Sequence, residues 1–141
     1  PKSLKFNTNT GAITGKPAKA GNSSVTFKAA STLWGEVSKT VTFTINAKPV
    51  KPTISVSKLS DGAVGKAYSA TINTSGTSPI TLTADGLPNG LNMNSSGLIS
   101  GIPAETGNFT IKITASNIYT ELNNNKSVTK NVKLKIQGIA P

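Results

Sequence analysis

The chain has 141 residues and a formal net charge of +10, from 15 basic and 5 acidic side chains, and it contains neither cysteine nor histidine. The lack of cysteine excludes disulfides, thiolate metal sites and thiol nucleophiles, and the lack of histidine removes the most common general base and metal ligand. The sequence contains no run of about 18 apolar residues, so it predicts no membrane insertion.

Every basic side chain is a lysine. Proteins that read nucleic acids depend on arginine for bidentate contacts to phosphate and guanine, and this sequence also has few aromatic side chains for stacking. We therefore expect no specific nucleic-acid partner. Two interpretations of the charge stay open: a solvated surface, or attraction to anionic polymers such as wall glycopolymers, acidic glycans or DNA.

Apolar and polar residues alternate along most of the chain, which is typical of half-buried β-strands. Turns rich in glycine and proline separate these segments, and no window shows the 3.6-residue period of a capped helix. In chain order, the predicted strands are 23–29, 39–45, 52–59, 67–73, 80–84, 108–115 and 126–136. Many short strands between regular turns predict an all-β protein built as an antiparallel β-sandwich.

The sequence also repeats itself. The matching segments are 4–21 with 91–107, 25–29 with 111–115, and 41–45 with 132–136. One residue inserted in the first copy aligns the first pair, so that Gly11 matches Gly97. A period of roughly 85–90 residues suits one β-domain per repeat. The chain is therefore predicted to consist of tandem repeats.

These matches predict three parts. Residues 1–48 correspond to the C-terminal half of a repeat, residues 49–138 to a complete repeat, and residues 139–141 to the start of a linker to the next repeat. Pro49 and Pro52 lie at the junction of the first two parts. Because proline favours extended backbone, this junction is predicted to be a stiff connector.

Several motifs of the complete repeat carry a resemblance to a known family. They are 61–68 (DGAVGKAY), 76–80 (GTSPI), 86–91 (GLPNGL), 97–103 (GLISGIP) and 106–117 (TGNFTIKITASN). Together they resemble the putative-Ig repeats of bacterial surface proteins, which are relatives of the cadherin-like domain of dystroglycan. The combination of G-x-I-x-G-x-P with A-x-N is the most specific part. The first copy departs from it at Ser31, where the second copy has Asn117.

The resemblance implies an Ig-like or cadherin-like β-sandwich in an extracellular or cell-surface protein. We expect a non-catalytic structural or adhesion repeat of a secreted or surface-anchored bacterial protein, acting as a spacer or protein-interaction module. The alternative is a carbohydrate-binding or accessory module of a large extracellular enzyme. Neighbouring repeats of the same chain are expected partners, and both a protein and a glycan stay open as the ligand.

The five acidic residues are spread singly along the sequence. Hydrolases and calcium-binding junctions need carboxylates in pairs or dense clusters, so we predict that the chain is not an enzyme and has no catalytic residues, no cofactor and no metal site. Asp61 and Asp85 each precede a glycine and are interpreted as turn residues. A weak calcium site at a repeat junction is the alternative.

Two aromatic residues are candidate partner contacts. Tyr119 lies in the polar segment 117–127, and Trp34 lies in the matching segment of the first copy. An exposed aromatic ring at the tip of a sandwich can anchor a protein or a sugar. The alternative is that both rings pack against the linker or a neighbouring repeat.

Lys112, Lys133 and Lys135 are the other candidate contacts, because each lies between two apolar residues of a predicted strand. If the last two strands pair, these three lysines share one outer face of the sheet. Such a face is either a contact patch or a device that keeps the sheet and its edges from aggregating.

Alternation also predicts the core of the complete repeat. Its members are Ile54, Tyr68, Ile72, Ile80, Leu82, Leu87, Leu91, Ile99, Phe109, Ile111, Ile113, Leu134 and Ile136. The apolar side of residues 1–48 has no such cover of its own, and a fragment of that size rarely stabilises itself. We expect a second copy of the chain to supply the cover, in a dimer or by strand exchange.

Overall fold

The computed structural model describes residues 1–139, which fold mainly as β-strands, and the chain divides into two compact units, Pro1–Lys48 and Pro49–Pro141. Of the predicted linker start at 139–141, residues 140 and 141 lie outside the described residues. No helix within the described part of the chain is long and apolar enough to cross a membrane.

The first unit consists of two antiparallel hairpins. Its strands are β1 (Leu4–Phe6), β2 (Ile13–Gly15), β3 (Gly21–Ser31) and β4 (Gly35–Ile45). Strand β1 pairs with β2, and β3 pairs with β4 along its whole length, from Gly21 opposite Ile45 to Ser31 opposite Gly35. The predicted strands 23–29 and 39–45 are therefore confirmed, and both extend further toward the hairpin turn.

Within residues 49–139, the second unit contains nine strands and one short helix. The elements are β5 (Thr53–Ile54), β6 (Gly62–Ala63), β7 (Tyr68–Thr71), β8 (Thr74–Ser75), β9 (Thr81–Asp85), β10 (Leu91–Met93), β11 (Leu98–Gly101), β12 (Gly107–Ser116), α1 (Ile118–Leu122) and β13 (Val128–Gln137). A four-stranded sheet has the order β6-β13-β12-β9, a three-stranded sheet has the order β10-β11-β7, and β5 pairs with β8. These sheets form the predicted sandwich. All pairs of strands are antiparallel except β6 with β13, which is parallel.

One hydrophobic cluster holds this sandwich together. Ile99, Ile111 and Ile113 are fully buried at its centre. Ile80, Leu87 and Phe109 belong to the predicted core but are only half-buried and pack at its edge. The other predicted members are buried, and the cluster further includes Leu59, Ala115 and Val132. The alternation in the sequence therefore predicted the inward faces of the strands correctly.

The two units carry the same pair of hairpins in the same register. The corresponding pairs are Leu4–Gly15 with Leu91–Gly101, Gly21–Ile45 with Gly107–Ile136, and Val25–Val41 with Ile111–Val132. The turns agree as well, because the side-chain oxygens of Asn7 and Asn94 each accept backbone N–H groups two to four residues further on. The sequence repeat is therefore a repeat of three-dimensional structure.

A repeated glycine has a clear physical reason. Gly15 and Gly101 occupy the same place in the two hairpins, with φ of 129° and 141°. L-amino acids rarely adopt such angles. A Cβ atom at Gly15 would also collide with the carbonyl oxygen of Ser3, and one at Gly101 would collide with that of Gly90. Only glycine therefore allows the two strands to approach this closely.

The units differ in what covers the hairpins. Ile99 is 0% exposed in the second unit, whereas Ile13 at the same position of the first unit is 39% exposed. Val132 is likewise fully buried, whereas Val41 is 38% exposed. In the second unit, residues of β5, β7, β9 and the segments beside them cover the hairpins. These strands precede the hairpins in sequence, and residues 1–48 contain no counterpart of them. The apolar face of the first unit therefore lacks these covering strands within residues 1–48, and we call it the uncovered face.

Helix α1 lies in the polar segment 117–127, so the expectation that the chain has no helix was wrong. Asn117 caps this helix: its Oδ1 accepts the N–H groups of Tyr119 at 3.1 Å and Thr120 at 3.4 Å. The Thr120 hydroxyl accepts the N–H of Asn117 at 3.0 Å, which completes a capping box. A five-residue helix is too short to show a hydrophobic period, and only its cap could have indicated it.

Candidate interaction surfaces

Asn117 fixes the end of the sandwich at which the second unit begins. Its side chain is buried, and its Nδ2 donates hydrogen bonds to the carbonyl oxygens of Val50 at 2.9 Å and Thr77 at 2.8 Å. The same amide caps α1 through its oxygen, so all its polar atoms have partners. The sequence singled out Asn117 as part of the A-x-N motif, and the structure shows that its side chain connects three segments.

The two candidate aromatic residues lie in different surroundings. Tyr119 is half-buried in α1, and its carbonyl oxygen accepts a hydrogen bond of 2.7 Å from the Asn123 side chain. Trp34 lies in the turn between β3 and β4 and is 89% exposed, next to Leu33, which is 84% exposed. Trp34 is thus an exposed side chain at the tip of a hairpin, whereas Tyr119 is a half-buried residue of a helix.

The three candidate lysines lie on one face of the four-stranded sheet. Strands β12 and β13 pair as the sequence suggested, with Lys133 opposite Thr110 and Lys135 opposite Asn108. Lys112 lies opposite Asn131 in the same ladder and opposite Asp85 on the other side. All three lysines are exposed. In the strand register, the acidic residue Asp85 therefore lies beside Lys112, and it does not lie beside Lys133 or Lys135.

A fourth lysine joins this face from outside the predicted set. Residues 57–59 run beside β13, where the N–H of Leu59 donates to the carbonyl oxygen of Lys133 at 2.8 Å. This pairing places Lys58 at a surface groove of about 470 Å³ together with Lys133 and Lys135. The other residues that line the groove are Asn108, Phe109, Thr110 and Leu134. Sequence reasoning missed Lys58 because no local pattern shows which strand a segment will join.

Asp61 and Glu105 have individual structural partners. Asp61 accepts a hydrogen bond of 3.1 Å from Gln137 and lies 3.7 Å from the Lys58 ammonium, and Glu105 accepts the N–H of Asn89 at 2.8 Å. Within residues 1–139, no group of three or more acidic side chains lies close enough together to hold a metal ion. The two residues interpreted as turn residues lie at ends of strands: Asp61 directly precedes β6, and Asp85 is the last residue of β9.

Tyr68 links this same corner to the core. Its hydroxyl donates a hydrogen bond of 2.9 Å to the carbonyl oxygen of Ser60, and its ring is buried. Burial, and to a smaller degree the negative charge of Asp61, raise the pKa of Tyr68 above the ordinary tyrosine value of 10.0. The hydroxyl is therefore protonated at neutral pH, as this hydrogen bond requires.

The beginning and the end of the second unit run side by side in the same direction. Besides the bond from Leu59, the N–H of Lys133 donates to Ser57 at 2.9 Å, and the N–H of Val64 donates to Gln137 at 3.0 Å. Strand β6 continues this parallel pairing, with Gly62 opposite Ile136. We call residues 57–64 and 133–137 with these bonds the parallel edge. It joins the two ends of the unit directly.

Comparisons with known proteins agree with this architecture. Residues 1–48 and 49–133 both match the family model described as "Putative Ig domain". The motifs from which the resemblance was drawn lie within the second match, and the resemblance is thereby confirmed. The chain is also 35% identical over 135 residues to the "Serine-rich adhesin for platelets" of Staphylococcus aureus (strain USA300). That alignment covers 92% of this chain and 6% of the adhesin.

Two solved structures from Bacteroides fragilis NCTC 9343 are similar to part of the chain. One is a putative alpha-galactosidase/melibiase, with 26% identity and a TM-score of 0.55, over 62% of this chain and 18% of the enzyme. The other is a putative alpha-galactosidase, with 26% identity and a TM-score of 0.53, over 66% of this chain and 19% of the enzyme. This chain therefore spans only a small part of the length of each of these proteins.

Proposed function

Because the chain belongs to the putative Ig domain family, we propose that it is a non-catalytic structural and adhesion repeat of a secreted or cell-surface bacterial protein. The similarity to a Staphylococcus aureus adhesin supports this role, since the alignment covers nearly the whole of this chain. In such a protein the second unit serves as a spacer that carries tension between its neighbours. Its partners are neighbouring repeats and a ligand held by the protein as a whole.

The parallel edge is the observation that carries the proposal. A spacer is stretched through its two ends, here at residue 49 and residue 138. Because residues 57–64 and 133–137 are parallel, such a pull slides one segment along the other and loads their hydrogen bonds together. A pull that separates an antiparallel hairpin from its open end breaks its bonds one after another. The fold thus resists tension best in the direction in which a spacer experiences it.

Asn117 supports the same role. Its amide holds Val50, close to the point where the second unit begins, and Thr77 at the same end of the sandwich. A load applied at residue 49 therefore enters a part of the unit that buried hydrogen bonds hold in place. Pro49 and Pro52 further restrict the backbone there, which suits a stiff connection between repeats.

We further propose the division of the chain that the repeat suggests. Residues 1–48 are the C-terminal half of an Ig-like repeat, and residues 49–138 are a complete one. The uncovered apolar face of the first unit then needs the strands that cover the same positions in the second. A second copy of the chain supplies them in a dimer or by strand exchange.

Force spectroscopy with two attachment geometries tests the spacer role. The chain has no cysteine, so a pair of introduced cysteines defines the pulling points uniquely. We expect a high unfolding force when the handles are at Lys51→Cys and Gly138→Cys, because this pull shears the parallel edge. Handles at Asn108→Cys and Lys135→Cys lie opposite each other at the open end of β12 and β13, and they should give a low force.

Both variants contain the same folded unit and differ only in the direction of the load, so each is a control for the other. Matching thermal unfolding of the two variants would establish that the new cysteines leave the fold unchanged. If the two geometries gave the same unfolding force, the parallel edge would have no mechanical role, and the spacer proposal would lose its main support.

A second candidate is an accessory or carbohydrate-binding module of a large extracellular enzyme. It is supported by the similarity to the two Bacteroides fragilis proteins, in each of which the matching part is under a fifth of the chain. The exposed Trp34 would be its sugar contact, since an aromatic ring can stack on the apolar face of a sugar. The other aromatic candidate, Tyr119, is half-buried, so it offers no second exposed ring to form a flat platform with Trp34.

A further inference from the structure

The groove beside β13 concentrates positive charge. Lys58, Lys133 and Lys135 line it, and all three side chains are exposed. Lys58 and Lys133 are paired across a parallel bridge, and Lys135 is two residues further along the same strand on the same face. Like charges at such neighbouring positions of a sheet destabilise it. Such an arrangement becomes more favourable when an anion binds between the charges.

The protein supplies little of that neutralisation. No acidic side chain lines the groove in the described part of the chain. Asp61 lies 3.7 Å from the Lys58 ammonium, but its other carboxylate oxygen is occupied by Gln137. The groove also contains Asn108 and Thr110, whose amide and hydroxyl groups can donate hydrogen bonds. The site therefore combines positive charge with neutral polar donors.

We propose that this groove binds a linear anionic polysaccharide. Alternate residues of a strand are about 6.8 Å apart, so Lys133 and Lys135 can meet successive charged groups along an extended polymer. Lysine acts as a point charge, which suits sulfate and carboxylate groups without demanding a bidentate geometry. Asn108 and Thr110 would contact the sugar hydroxyls between the charges. This binding is independent of the load-bearing role proposed above.

The lining favours a glycan over a nucleic acid. Single-stranded nucleic acids are held by stacking of bases on exposed aromatic rings, combined with positive charge. The aromatic residue that lines the groove is Phe109, which is half-buried and packs against the hydrophobic core. Because this ring packs against the core, it is not free to stack on a base. The chain also contains no arginine, whose side chain could stack in its place.

A pair of charge-matched variants tests the proposal with heparin as the probe, on the full 141-residue chain at physiological salt. The first variant is K58Q/K133Q/K135Q, which removes the three lysines of the groove. The second is K51Q/K66Q/K126Q, which removes three exposed lysines elsewhere in the same unit. We expect heparin affinity to fall on the order of tenfold or more in the first variant and to change by less than about twofold in the second.

Three results would overturn the proposal. The first is an absence of saturable heparin binding to the unmodified chain. The second is an equal loss of affinity in both variants, which would mean that only net charge matters. The third is tighter binding of single-stranded oligothymidylate than of heparin at the same salt concentration. Unchanged thermal unfolding of both variants would establish that the differences in heparin affinity arise at the surface. If the triple variant unfolds, the single variant K58Q tests the groove instead.

Discussion

Replacement of Ile99 by alanine is expected to lower the free energy of unfolding of the second unit by about 2–5 kcal/mol. Ile99 is 0% exposed at the centre of the hydrophobic cluster. The substitution removes buried apolar surface and leaves a cavity that close-packed neighbours can fill only in part. Ile111 and Ile113 are equally buried in the same cluster, and we expect an effect of the same size there.

The repeat supplies a matched control. Ile13 has the same residue type and the same place in the hairpin, but it is 39% exposed. Ile13→Ala is therefore expected to cost only about 1 kcal/mol or less in the monomeric chain. Hydrogen exchange of individual backbone amides can follow the two units separately, whereas fluorescence of Trp34 cannot report on the first unit, because this ring is already 89% exposed in the folded chain. Equal costs for Ile99→Ala and Ile13→Ala would contradict the assignment of the two faces.

Replacement of Phe27 by aspartate is expected to abolish self-association of the chain. The Phe27 ring packs edge-to-face against Phe6 at 5.2 Å and against Phe43 at 6.3 Å, between ring centroids, on the uncovered face of the first unit. If this face is completed by a second copy, a carboxylate at its centre would be buried without a partner. We expect light scattering to give the mass of a dimer or a larger species for the unmodified chain at tens of micromolar, and the mass of a monomer for Phe27→Asp.

Leu33→Asp is the control for this experiment. Leu33 is also apolar and exposed in the first unit, but it lies in the hairpin turn and not on the uncovered face. Its replacement makes the same change of charge and should leave the mass unchanged. A monomeric unmodified chain at these concentrations, or equal masses for the two variants, would rule out the second copy as the cover.

The inward faces of the long strands could be predicted from the sequence because they depend on local alternation. Residues such as Ile111 and Ile113 are separated by one polar residue, and a pleated strand must place both on the same face. The internal repeat matched β3 with β12 and β4 with β13, but the pairings of β3 with β4 and of β12 with β13 are findings of the structure. Both pairings are hairpin-like and antiparallel, so neighbouring segments in sequence are neighbours in space.

The features that escaped prediction depend on distant partners or on very short elements. Strand β6 has two residues and pairs in parallel with the last strand, more than seventy positions away in sequence. Lys58 and Leu59 acquire their positions from the same long-range pairing, so their roles in the groove and the core have no local signature. Helix α1 has five residues. Its capping residues Asn117 and Thr120 lie in a polar segment, where nothing in the sequence distinguishes them from their neighbours.

Native-state hydrogen exchange on the dilute, monomeric chain is the most direct test of the claim that both units carry the same hairpins and only the second is covered. Strand β12 also pairs with β9, so the comparison is limited to the amides of β3 that bond to β4 and the amides of β12 that bond to β13, which hydrogen bonding alone would protect equally. We expect the central amides of β12 to exchange only through global unfolding of the second unit and those of β3 to exchange much faster through local opening. Equal protection of the two strands would contradict the claim.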